Sequence, residues 1–110
     1  MSTRANIIIT DGYEELFFYR HSDGYPEGVT PTLNKFLNMV KDGTIRDNII
    51  QASGHLILLG HEEYKEQGLL ESNYMRWKVG AYEPTTGIHG DVEFIYTIDL
   101  QQATLTIKRV

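Results

Sequence analysis

The chain has 110 residues, with 10 Lys plus Arg against 15 Asp plus Glu, a formal charge of −5, and no cysteine. That length fits one domain over residues 1–110 and excludes most multi-domain arrangements. The missing cysteines exclude a disulfide framework, a thiolate metal site and a cysteine nucleophile. The acidic balance argues against coating of nucleic acid, which needs dense Lys and Arg facing phosphates. The longest apolar runs, Ile7 to Ile9 and Leu56 to Leu59, are too short to span a membrane. Met1 to Asn6 lacks the apolar stretch of a secretory signal, so the expectation is a cytoplasmic protein.

The first element predicted is a strand over Ala5 to Thr10, where three consecutive isoleucines suit a pleated surface. Asp11-Gly12 supplies a turn. A second strand follows from Glu15 to about His21. Its alternation puts Leu16, Phe18 and Arg20 on one face and Phe17, Tyr19 and His21 on the other. Both faces are apolar until the strand's end, which implies cover on both sides or a homo-oligomer contact on the second.

The turn-rich stretch Ser22 to Thr30 leads to a helix, with Thr30 as cap and Pro31 at the first helical position. Leu33, Phe36, Leu37 and Val40 recur on one apolar helix face, and Gly43 closes it. Thr44 and Asp47 form a weaker capping pattern for a helix from about Ile45. That helix buries Ile49, Ala52, Ser53, Leu56 and Leu59 and ends at Gly68. Gly54 and Gly60 each disfavour it by about 1 kcal/mol relative to alanine, so a glycine there marks close packing.

Leu69 to Met75 reads as irregular. Trp77 to Glu83 is expected as a strand with Trp77, Val79 and Ala81 inward and Lys78 and Tyr82 on the opposite face. Pro84 to Gly87 is expected to turn. Asp91 to Leu100 alternates most clearly, with Val92, Phe94, Tyr96, Ile98 and Leu100 on one side. Gln101 and Gln102 turn the chain into a last strand, Thr104 to Val110. The expected architecture is α+β, in the order ββααβββ, with an antiparallel five-stranded sheet and two helices on one face.

The densest polar cluster is Tyr19-Arg20-His21-Ser22-Asp23-Gly24-Tyr25-Pro26, where a strand runs into a loop. Arg20 offers a planar fork of donors for carboxylate or phosphate. His21 adds an imidazole that can either donate or accept a hydrogen bond. Tyr19 and Tyr25 add aromatic faces with polar tips. The competing reading is structural: a turn at Asp23-Gly24, an Arg20–Asp23 pair, and packing at Tyr25-Pro26. Arg4, at the start of the first strand, is placed by a hairpin near Arg20 or His21, and is otherwise a solvated terminal arginine.

The four histidines show no metal spacing, and a zinc site from His21, Asp23 and His89 is the weakest of the readings. No nucleophilic triad is legible, because Ser22 and His21 are strand neighbours that point apart. Gly87-Ile88-His89-Gly90 is too short for a phosphate loop and reads as hairpin geometry, so no cofactor is implied. Glu62, Glu63, Glu66 and Glu71 form either a solvated helix end or an acidic face toward a basic partner.

Ser2-Thr3-Arg4-Ala5-Asn6-Ile7, followed by Tyr19-Arg20-His21-Ser22-Asp23-Gly24-Tyr25-Pro26-Glu27-Gly28, resembles a family of small bacterial and phage proteins. Those begin with Gly or Ser, then Thr-Arg-Ala, and carry Tyr-Arg-His/Gln-x-Asp-Gly-Tyr-Pro after a second strand. The resemblance covers about the first quarter of the chain. It implies a shared fold, a shared site at Arg4, Arg20, His21, Asp23 and Tyr25, and an accessory or counter-defence role. It supplies no reaction.

The functional expectation is a non-enzymatic protein that binds a small anionic, nucleotide-like ligand through Arg4, Tyr19, Arg20, His21, Asp23 and Tyr25, as a phage sponge for an immune signal. The alternatives are an acidic inhibitor that docks on a host defence effector in an anti-CRISPR-like manner, and a small hydrolase using His21 and Asp23 as acid and base.

Overall fold

The computed structural model describes residues 2–73 and 77–110. Strand β1 (Ala5–Thr10) is central, and its isoleucine run explains why. Ile7 and Ile9 are fully buried on one face and Ile8 is buried on the other. Such a run is satisfied only with cover on both sides. Asp11 makes the turn to β2 (Glu15–Arg20) by accepting the backbone N–H of Tyr13 and Glu14 at 2.9 and 2.8 Å, while Gly12 takes φ +92°.

Helix α1 (Pro26–Lys41) begins one turn earlier than the Thr30-Pro31 signal predicts. Pro26 takes the first turn, where a missing N–H is harmless, and Pro31 lies inside the helix. Thr30 spends its hydroxyl on the Pro26 carbonyl at 2.7 Å instead of capping. Gly43, at φ +84°, closes the helix as its sequence predicts. Helix α2 (Ile49–Glu66) starts later than expected. Asn48, not Thr44, caps it, accepting from the N–H groups of Ile50 and Gln51. The chain is turn-rich from 67 to 73; positions 74 and 75 of the expected irregular stretch lie outside the described residues.

The segment from Trp77 departs most from expectation. It is not a strand along its length. Trp77 is 85% exposed and Val79 half-exposed, while Ala81 and Tyr82 are buried. The reason is that this stretch docks on α2 rather than on the sheet. The Ala81 N–H donates to the Gly60 carbonyl at 3.2 Å, and Val79 O meets His61 Nδ1 at 3.0 Å. Only β3 (Glu83–Thr85) pairs with β2, so Pro84 sits in an edge strand where no ladder hydrogen bond is needed from it. Strands β4 (Phe94–Asp99) and β5 (Thr104–Arg109) form the expected hairpin, with Ala103 at φ +52°.

The five strands lie in the order β3-β2-β1-β4-β5. The sheet is mixed, correcting the antiparallel expectation: β1 and β4 are parallel, and strand order in space departs from order in the chain. Alternation fixes which side chains share a face, but not the direction of the neighbour. Both helices cover one face, where Ile7, Ile9, Phe18, Tyr96 and Ile98 pack with Leu33, Phe36 and Leu56. Phe17 and Tyr19 face the other side.

The parallel pairing requires the chain to return across the sheet between β3 and β4. Thr85 stands level with Ile8 through Phe17, whereas β4 enters level with Ala5. Residues 86–93 make that return over the helix-free face. They bury Asn6, whose amide donates to Phe18 O at 2.9 Å and Gly87 O at 3.3 Å and accepts from the His89 N–H at 2.8 Å. Gly87 to Gly90 is therefore part of a crossover, not a hairpin.

The two central glycines of α2 separate cleanly. A Cβ on Gly60 would lie 2.8 Å from the Tyr82 ring and 3.0 Å from the Tyr82 nitrogen, whereas one on Gly54 meets nothing within 4 Å. Gly60→Ala is expected to lower stability by about 2 kcal/mol through overpacking, and Gly54→Ala to raise it by up to about 1 kcal/mol. Urea unfolding of both variants checks the pair.

Candidate functional site

The strand period of two divides the motif that looked contiguous in sequence. Tyr19 and His21 point to the crossover side of the sheet, and Arg20 points beneath the helices.

Arg20 is 1% exposed. A guanidinium so enclosed needs a full set of acceptors. Its Nη2 lies 2.7 Å from Glu63 Oε2, Nη1 donates to the Tyr82 hydroxyl at 3.1 Å, and Nε donates to the Ser22 carbonyl at 2.8 Å. Thr32 donates to the other Glu63 oxygen at 2.7 Å. Burial opposes the charge, but Tyr82 and Glu63 outweigh it and hold the guanidinium pKa above its ordinary value. Burial likewise pushes the Tyr82 phenol up, so it stays protonated. Arg20 thus acts as a clamp between β2 and α2, and its partner is Glu63 rather than Asp23.

Asp23 and Tyr25 are exposed on the same side as the clamp, beside a recess of about 340 Å³ also bordered by Glu27, Glu63 and Glu66. The loop between β2 and α1 is tightly folded. Asp23 takes φ +54°, and a Cβ on Gly28 would meet the Asp23 carbonyl oxygen at 2.4 Å. Gly24 is buried, donating to Thr3 O and accepting from the Tyr96 hydroxyl at 2.7 Å. Burial also pushes the Tyr96 phenol up to about 12, which keeps that donor protonated.

On the crossover side a cleft of about 440 Å³ is lined by Arg4, Tyr19 and His21 together with Glu83, Thr85, His89 and Asp91. Asp91 Oδ2 accepts from the Tyr19 hydroxyl at 2.8 Å and pairs with Arg4 Nη1 at 3.3 Å. His21 Nε2 lies 2.6 Å from Glu83 Oε1, a contact that is an ion pair only when the imidazole is protonated. His89 Nε2 shares a hydrogen bond with the Thr85 hydroxyl at 2.7 Å. The Tyr19 ring stacks on His89 with centroids 3.9 Å apart and meets the His21 ring edge-on at 4.6 Å. Burial, then the Asp91 hydrogen bond and charge, push the Tyr19 phenol up to about 12.

Of the six residues singled out from sequence, the structure gathers Arg4, Tyr19 and His21 in this cleft and leaves Arg20, Asp23 and Tyr25 at the other recess. Glu83, Thr85 and Asp91 join this cluster beyond the sequence reading, in which His89 meets His21 only as part of the zinc alternative. One residue signalled them: Asn6, a polar side chain within an apolar strand, which needs several hydrogen bonds when buried. The zinc arrangement is not assembled, since Asp23 does not line the cleft, and no metal-binding group of three His, Asp or Glu occurs among the described residues. None of their helices is long and apolar enough to cross a membrane.

Comparison of the chain with known protein families, curated proteins and solved structures returns no match.

Two measurements test these environments. Glu63→Ala strands the Arg20 charge and is expected to lower stability by about 3 kcal/mol, while the Arg20→Leu/Glu63→Leu double variant loses less than its single changes sum to. For Tyr19, the folded state keeps the phenolic proton to about pH 12, against 10 for an ordinary tyrosine. Its stabilising contribution is therefore full below pH 10 and lost as the pH rises from 10 to about 12. In Asp91→Ala the phenolate absorbance of Tyr19 is expected to appear at lower pH.

Proposed function

We propose that the crossover-side cleft binds a small anionic, nucleotide-like ligand, and that the protein holds this ligand without turning it over. The observation that carries the reading is the convergence of Arg4, His21 and His89 in one cleft of a chain whose formal charge is −5. Arg4 is nearly half exposed and, among the described residues, commits only Nη1 to Asp91, so the rest of its fork faces a phosphate or carboxylate. The cleft volume falls in the range of small-molecule sites. The groups are held in place before any ligand arrives, since Asn6 fixes the backbone at His89 and Asp91 fixes both Tyr19 and Arg4. Such preorganisation lowers the ordering cost of binding. Within this reading, the motif's resemblance to phage proteins supports a role as a sponge for a signalling nucleotide.

The acidic recess on the opposite side supports a second reading, docking of a basic effector protein. Asp23, Glu27 and Glu66 line it, whereas Glu63 is already neutralised by Arg20. Such a complex weakens steeply with salt.

Calorimetric titration with a panel of cyclic and linear nucleotides tests the primary reading. Binding is expected, with affinity reduced about tenfold or more in Arg4→Ala, the effect of losing a charged hydrogen bond. Chromatography of the released ligand is expected to recover it unchanged. Heat with no member of the panel overturns the binding reading. A cleaved product replaces the sponge with a hydrolase in which Glu83, not Asp23, partners His21.

A further inference from the structure

The cleft is not a plain anion hole. Two carboxylates, Glu83 and Asp91, line it beside Arg4 and the two histidines. Glu83 is three-quarters buried, and its Oε1 faces His21 Nε2 at 2.6 Å. Asp91 is different. Its side chain is 48% exposed, and both of its contacts, with the Tyr19 hydroxyl and Arg4, fall on Oδ2. No hydrogen bond to Oδ1 is found among the described residues.

A ligand seated against Arg4 therefore also meets a carboxylate with an acceptor to spare. A bare anion is repelled there, while N–H donors are attracted, and more strongly than by a neutral acceptor because the bond is charge-assisted. We propose that Asp91 is a specificity-determining residue, and that the ligand is a nucleotide whose base carries an exocyclic amino group facing Asp91 while its phosphate faces Arg4. This rests on the binding reading above and names the ligand class within it. Guanine, with adjacent ring N–H and amino donors, suits a carboxylate best. Adenine and cytosine offer an amino group. Uracil offers a single N–H flanked by two carbonyls, which the carboxylate repels.

The test compares guanosine monophosphate, uridine monophosphate and inorganic phosphate by calorimetry, on the native chain and on Asp91→Asn. The native chain is expected to prefer the guanosine nucleotide over the uridine one by about tenfold, the scale of one good base-edge contact. Asp91→Asn is expected to weaken the guanosine nucleotide and to strengthen uridine monophosphate and phosphate. These opposite signs cannot come from a damaged fold, which weakens all three. Equal affinity of the native chain for the two nucleotides, a measurement that needs no variant, overturns the role of Asp91 while leaving anion binding intact. A change of the same sign for all three in Asp91→Asn also overturns it. No binding of any of the three to the native chain overturns this inference together with the binding reading.

Discussion

The buried Arg20–Glu63 pair is the constraint around which the rest of the molecule is arranged. A guanidinium at 1% exposure is tolerable only if every direction of its fork finds an acceptor. The acceptors come from three separate places: Glu63 on α2, Tyr82 in the segment that docks on α2, and the Ser22 carbonyl just past β2. Meeting those demands fixes α2 over the end of β2. It also draws Tyr82 into the core, where the ring lies under the guanidinium at 5.2 Å and against Gly60. Once Tyr82 is placed, the next residue, Glu83, enters β3 opposite Tyr19 and beside His21. A structural ion pair on one side of the sheet thus sets the position of a cleft carboxylate on the other.

The cleft owes its existence to a second constraint, the return of the chain from β3 to β4. Parallel strands cannot be joined by a tight turn. Here the connection crosses the helix-free face instead of forming a helix, and it brings His89 and Asp91 over Tyr19. Asn6 holds this loop through both its donor and its acceptor, which is why a polar residue sits fully buried in the central strand. The chemistry of the cleft is then that of mixed charge. Arg4 and two imidazoles are interleaved with two carboxylates, an arrangement that suits a ligand with both acceptor and donor groups.

Much of the fold could be read from residues. The isoleucine run of β1, the alternation of β4 and the apolar face of α1 each carry their own period, and periods report local geometry directly. Helix ends were less legible, because Pro26 and Pro31 both satisfy the rule for a helix start, as do Thr44 and Asn48 for a cap. Trp77 and Val79 misled because an apolar residue is not obliged to be buried, and the backbone of that segment found its partners on α2. Part of the cleft was legible too: a hairpin necessarily brings Arg4 toward the end of β2.

The amino-acid sequence by itself determined the two helices, the strands β1, β2, β4 and β5, and the division of Tyr19 and His21 from Arg20, since these follow from periodicities within a few residues. Only the tertiary structure decided that β1 and β4 run parallel, that Arg20 answers Glu63 rather than Asp23, and that Glu83, His89 and Asp91 join Arg4 in one cleft. The −5 charge is a sum over the whole chain and carries no positions. Contacts between residues 62 to 87 positions apart arise from where the crossover and α2 come to rest, which no local spacing encodes.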